Sequence, residues 1–172
     1  MRGKIIVIEG TDCSGKETQT SLLVQRLKRE GKKVERLRFP MYETPTGKII
    51  GGPYLGKDYI TPCWFSEGAV NVDPKVAALY YAADRRYNLT TIENYLRDGY
   101  DLIIDRYVES NMAHQGCKII DKEERLKLYK WLETLEYNLL ELPKPDLTIL
   151  LHMPYKKVVE LKRGRIGTDE HE

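Results

Sequence analysis

The chain has 172 residues, with 28 Lys and Arg against 26 Asp and Glu and a formal net charge of +2. That length suits one domain with one substantial core, and so small a charge, with no basic cluster, argues against a nucleic-acid polyanion as partner. No secretory signal precedes the first apolar segment and no apolar run approaches membrane-spanning length, while the odd, dispersed set Cys13, Cys63 and Cys117 lacks metal-ligand spacing and suits a reducing cytoplasm.

In chain order, β-branched Ile5–Glu9 reads as a strand and Lys16–Glu30 as a helix with Leu23 and Leu27 on one face and Gly31 as its stop. Val34–Phe39 reads as a second strand ending at Pro40. Residues 41–72, rich in Gly, Pro and Tyr, read as irregular with a helical turn near Gly47–Ile50. A long helical pattern opens at Pro74 and runs toward Arg97, with a break around Asn88–Thr90, and Asp101–Asp105 is a short buried strand. Lys122–Glu141 reads as one helix with Leu128, Leu132, Leu135 and Leu139 inside; Leu147–His152 is another strand, and Pro154 starts a final helix. Alternating strands and helices predict an α/β fold, a parallel sheet with helices on both faces, whose ligands sit at the carboxyl ends of the strands. No repeat or linker divides the chain.

The densest signal is Gly10-Thr11-Asp12-Cys13-Ser14-Gly15-Lys16 between the first strand and the first helix. Two glycines bracketing four residues, with lysine following, are the spacing of a phosphate-cradling loop. Glycines let backbone N–H groups point inward at phosphate oxygens, and the helix N-terminus adds positive dipole. Gly10, Asp12, Cys13, Ser14, Gly15, Lys16, Glu17 and Thr18 are thus the candidate phosphate-binding residues. The position after the lysine, normally a hydroxyl residue that binds Mg²⁺, is Glu17, and Thr18 lies roughly 100° further round the helix. Glu17 otherwise reads as an N-terminal carboxylate favoured by the dipole. Asp105 ends an apolar strand, where a carboxylate is costly unless it meets a cation or a metal, and Arg106 beside it suits bidentate grip of a monophosphate. Tyr81 and Arg85, four residues apart, share one helix face, which suits a flat base stacked on a ring and touched by a guanidinium.

Gly-Lys-x-Thr-Gln resembles nucleoside monophosphate kinases. Arg38-Phe39-Pro40-Met41-Tyr42, Pro45-Thr46-Gly47-Lys48, Tyr81-Ala82-Ala83-Asp84-Arg85, Asp105 through Gly116 and Pro145-Asp146-Leu147 together resemble thymidylate kinases, in order and along the whole chain. The resemblance implies a homodimeric P-loop kinase that transfers the γ-phosphate of ATP to dTMP with Mg²⁺, giving dTDP. It implies that Arg106 holds the acceptor phosphate, with Tyr42 also near it, and that Asp105 organises metal and water near Lys16. Tyr81 stacks on thymine, Arg85 meets O4, Asn111 reads N3 and Phe39 lines the base pocket, with Ser110, His114 and Gln115 completing the dTMP site. Asp12 faces the acceptor sugar or the metal, and Asp12, Asp105 and Glu172 are the candidate metal ligands. Phe39 also reads as strand-end packing and Tyr42 as a loop tyrosine.

Three departures from the family pattern stand out. Some members carry Arg where this chain has Cys13; members without it draw cations from a lid, here about residues 154–172, with Lys162, Arg163 and Arg165 as candidates and Arg163 and Arg165 as the expected catalytic pair. His114 stands where many relatives have Tyr, which weakens the implied preference for a deoxy sugar. Relatives also continue past the lid, so the resemblance implies that the C-terminal part of the family fold is not in this sequence. The alternatives are a kinase for another pyrimidine nucleoside monophosphate or a deoxynucleoside, or a non-catalytic nucleotide-binding protein. Turnover discriminates between them.

Overall fold

The computed structural model of the protein describes residues 1–163. Four strands, β1 (Ile5–Gly10), β2 (Val34–Arg38), β3 (Asp101–Asp105) and β4 (Leu147–Leu151), form one sheet in the order β2-β3-β1-β4, with every neighbouring pair parallel. The two faces of the sheet bury different residues of the same strands, as period-two side-chain alternation requires. Ile5, Val7, Leu102 and Ile104 pack with Leu89, Ile92 and Leu96, whereas Ile8, Ile103 and Val34 pack with Val24, Leu23 and Leu27. The first set belongs with helix α4 (Leu89–Arg97) and the second with helix α1 (Lys16–Arg29), so helices cover both faces, as the strand–helix alternation predicts.

The remaining helices are α2 (Pro45–Ile49), α3 (Pro74–Tyr87), α5 (Val108–Gly116), α6 (Lys122–Glu133) and α7 (Tyr155–Arg163). Asp73 caps α3 by accepting from the backbone N–H groups of Lys75 and Val76, with Pro74 at the first helical position. The helical pattern from Pro74 to Arg97 breaks at Asn88, within the expected Asn88–Thr90 break, into α3 and α4, and the Asn88 side chain donates back to the Asp84 carbonyl. The helical turn expected near Gly47–Ile50 is α2, and it runs on into a π-helical turn over Ile50–Tyr54.

One expectation is corrected. Lys122–Glu141 is not a uniform α-helix: α6 passes into a π-helical segment over Thr134–Leu139, where Leu140 donates to the carbonyl of Leu135, five residues back. Leu128 and Leu132 are buried as expected, but Leu139 is 71% exposed and Glu136 is fully buried. The wider turn rotates the inner face off the leucine register and onto a carboxylate. Among the described residues no helix is long and apolar enough to cross a membrane.

Candidate functional site

Ile8 stands opposite Asp105 across the β1–β3 ladder, so the loop after β1 and the segment after β3 meet at the carboxyl edge of the sheet. Gly10 has φ +156°, and a Cβ there would lie 2.7 Å from both the Leu151 carbonyl oxygen and Ser14 Oγ, so only glycine fits. Gly15, in the left-handed region at φ +82°, swings the chain into α1. Lys16 is the first residue of α1, buried, with Nζ donating to the Thr11 carbonyl at 2.7 Å. Burial and the Arg106 charge hold its pKa below the usual lysine value, although Asp12, Asp105 and Glu9 pull the other way. Glu17 lies 3.8 Å from both Arg36 and Arg38, which joins α1 to β2 at the rim and accounts for an acid at this place.

Asp105 is buried at the end of β3 and meets Arg36 Nη2 at 3.4 Å through Oδ2, so the cation its burial demands comes from β2. Its Oδ1 is buried without a hydrogen-bond partner among the described residues, as is Ser14 Oγ. Arg106 follows with φ +67° and pairs with Asp12; its Nη1 also lies 3.2 Å from His114 Nε2. The Asp12 carboxyl is held below the usual range because Arg106, His114, Lys16 and Lys162 together outweigh the burial that would raise it. His114 is pushed below the ordinary histidine value by desolvation and by Arg106.

Glu9, which sequence reasoning missed, organises this segment. It is buried at the end of β1, and its Oε1 accepts from the backbone N–H groups of Tyr107 at 2.8 Å and Ser110 at 3.2 Å, while Oε2 accepts from Ser110 Oγ at 2.6 Å. One carboxylate thus caps α5 from another element and holds the backbone on which Arg106 sits. An acid on an otherwise apolar buried strand was the available signal.

Tyr81 and Arg85 lie on α3, and Asn111 and Gln115 on α5. Phe39, 2% exposed, is both core residue and cavity wall. The Tyr81 phenol is raised well above its usual value by burial, and that of Tyr42 is raised by burial against the opposing charge of Lys57, whose ammonium lies 5.4 Å from the Tyr42 ring centroid. Arg85 is buried and gripped by Glu136: Nη2 donates to Oε1 at 2.6 Å and Nε to Oε2, while Nη1 reaches the Tyr107 carbonyl at 3.4 Å. Glu136 too was missed, because its inward position exists only through the π-helical turn.

These groups line one cavity of about 370 Å³. At one end are Asp12, Cys13, Gly15, Lys16, Glu17 and Thr18; at the other are Phe39, Tyr42, Tyr81, Arg85 and Asn111. Asp105, Arg106, Ser110, His114 and Gln115 also border it. Gly10 and Ser14, though part of the loop, are not on the cavity lining. Arg38, Lys57 and Lys118 are cations on the lining that sequence reasoning did not single out as binding residues. Among the lid cations, Lys162 is near enough to act on Asp12 and His114. Arg163 is exposed at the end of α7, and Arg165 and Glu172 lie outside the described residues.

Residues 8–172 match the family model described as thymidylate kinase. The chain is 33% identical over 171 residues to the human thymidylate kinase, covering 99% of this chain and 70% of that protein, and 32% identical over the same length, with the same coverage, to that of Schizosaccharomyces pombe. A probable thymidylate kinase of Pyrobaculum aerophilum is 36% identical over 168 residues, 97% of this chain and 73% of its own. Among solved structures, the thymidylate kinase of Candida albicans superimposes with a TM-score of 0.74 at 30% identity, covering 99% of this chain and 70% of that one. With the phosphate loop, the Asp-Arg-Tyr segment and the aromatic pocket in one cavity and these likenesses running the length of the chain, the protein belongs to the thymidylate kinase family.

Proposed function

We propose that this chain catalyses transfer of the γ-phosphoryl group of ATP to dTMP, giving dTDP, in the cytoplasm and as a homodimer. The observation that carries the reading is the single cavity, with the phosphate loop at one end and a buried donor–acceptor pair among aromatic rings at the other. Phosphoryl transfer asks a protein chiefly to position two phosphates and neutralise developing charge. Residues 10–18 cradle the donor phosphates, with Lys16 as the point charge. Arg106, set by Glu9 and flanked by Asp12, grips the acceptor phosphate, and Tyr42 stands beside it. Tyr81 and Phe39 enclose the base, Arg85 and Asn111 read its edge, and Ser110, His114 and Gln115 complete the acceptor wall.

The oxygen donors near the loop suit Mg²⁺ arriving with ATP, since that ion takes one or two carboxylates and leaves the rest of its shell to phosphate and water. Asp12 and Asp105 would hold it, and the unpartnered Asp105 Oδ1 is a ready acceptor site. Glu172, the third candidate ligand, lies outside the described residues. Bound with ATP, the ion would supply charge neutralisation on the phosphates. Lys162, with Arg163 and Arg165, supplies the lid cation in place of an arginine at position 13.

A coupled assay of ATP consumption with dTMP, dUMP, the ribonucleotide of thymine and thymidine tests the reading. Turnover is expected with dTMP and, more weakly, dUMP. Absence of turnover with every monophosphate would favour the non-catalytic alternative.

A further inference from the structure

The base end of the cavity holds a buried ionic network that does more than join two helices. Glu136 accepts from two nitrogens of Arg85 and, through Oε1, from Asn111 Nδ2 at 2.9 Å. The second Asn111 Nδ2 hydrogen goes to the Ala78 carbonyl at 3.1 Å. Both amide donors are therefore used on acceptors behind the wall, and Asn111 Oδ1 is left buried and unpartnered among the described residues. Turning the amide over would set its oxygen against a carboxylate and a carbonyl, both acceptors, which the pocket cannot satisfy. Arg85 commits three of its five N–H donors to Glu136 and Tyr107, leaving two on a side chain that borders the cavity. Asn111 Oδ1 is therefore an oriented acceptor beside the Arg85 donors on this part of the wall.

We infer that Glu136 is a positioning residue that fixes the hydrogen-bond polarity of the base pocket, holding Asn111 Oδ1 as acceptor and Arg85 as donor, and thereby restricts the acceptor nucleotide to a pyrimidine carrying a 4-oxo group and a proton on N3. The inference rests on the function proposed above and deepens it. A 4-oxo pyrimidine matches both groups. Cytosine opposes both, because its N3 is an acceptor facing Asn111 Oδ1 and its 4-amino group is a donor facing Arg85. A site with buried polar groups rejects a mismatched analogue strongly, since each group loses its water and gains no partner. Glu136 itself need not touch the base: its carboxylate, which can only accept, removes the choice from Asn111.

Calorimetric titration of the full chain with dTMP, dCMP and ATP tests this. The unaltered chain should bind dTMP at least about 100-fold more tightly than dCMP; equal binding of the two would overturn the inference. In Glu136→Gln the new amide presents N–H groups to Asn111 or to Arg85, the Asn111 amide is released to turn over, and the dTMP/dCMP ratio should fall at least about tenfold while ATP affinity stays within about twofold. A folded, cooperatively melting Glu136→Gln chain with an unchanged ratio overturns it. If that variant does not fold, ¹⁵N-labelled unaltered chain decides: both Asn111 Nδ2 protons should exchange slowly without nucleotide, and exchange at solvent rates overturns the inference. None of these readouts needs turnover, so a chain that binds dTMP selectively without phosphorylating it would refute the proposed activity and leave Glu136 in its role.

Discussion

The two ends of the cavity are built in opposite ways. The phosphate end is made by one short stretch of chain, residues 10–18, whose shape comes from two glycines and a helix N-terminus. The base end is assembled from α3, α5 and the π-helical turn after α6, and its groups are held by one another: Arg85 by Glu136 across 51 positions and Asn111 by Glu136 across 25. A local loop exposes its charges to a ligand and contributes little to the core. A long-range buried network puts recognition and stability in the same side chains. Substitutions at the phosphate end should therefore change rate without changing the fold, whereas those at the base end should move both.

Glu136→Ala gives the largest expected effect on the fold. It leaves the buried Arg85 charge uncompensated, and burial opposes that charge while Glu136 presently holds it in place and keeps the arginine pKa above its usual value. Breaking a buried pair by removing one partner typically costs about 3–5 kcal/mol, and urea unfolding with an unchanged slope would measure it. A cost within about 0.5 kcal/mol, the range of ordinary surface changes, would break the contrast at the base end.

Lys16→Ala should lower kcat by on the order of 10²–10³, as loss of one preorganised charge stabiliser does in other enzymes, while the thermal midpoint hardly moves. The carboxylates around Lys16 keep other partners, Asp12 with Arg106, Asp105 with Arg36 and Glu9 with Tyr107 and Ser110, so its removal leaves no unpaired buried charge behind. A clear drop in the midpoint would show that the phosphate end is also structural.

Arg106 lies between the two regimes, because it faces the cavity yet pairs with Asp12 and touches His114. Arg106→Ala should weaken dTMP by about 1.5–3 kcal/mol, the usual worth of a charge-assisted hydrogen bond, and leave ATP affinity nearly unchanged. Loss of ATP affinity with dTMP affinity retained would move Arg106 to the donor side.

The smallest effect is on pH dependence. His114 sits below its ordinary value of 6.5 in the folded chain, so the unfolded chain binds its proton first as pH falls. Stability from this group is present above about 6.5 and is lost below it. The thermal midpoint of the unaltered chain should therefore fall relative to His114→Phe on going from about pH 7.5 to about pH 5.5. A constant difference would mean that His114 is not desolvated in the folded chain.

The sequence by itself determined the parallel α/β architecture, the phosphate loop and the helix start at Pro74, and its resemblance to thymidylate kinases implied that Asp105, Arg106, Tyr81 and Arg85 share one site. The first three rest on short-range rules: β-branched runs, the G-x-x-x-x-G-K spacing and a proline at the first helical position. Only the tertiary structure decided which charges balance which. Arg36 on β2 meets one oxygen of the Asp105 carboxylate, Glu9 on β1 holds the start of α5, and Arg38 and Arg36 account for Glu17. It also decided that Leu139 faces out and Glu136 in, against the leucine repeat. A helical wheel assumes a constant turn, whereas the wider turn from Thr134 brings one buried carboxylate against an arginine and an asparagine that are distant in sequence.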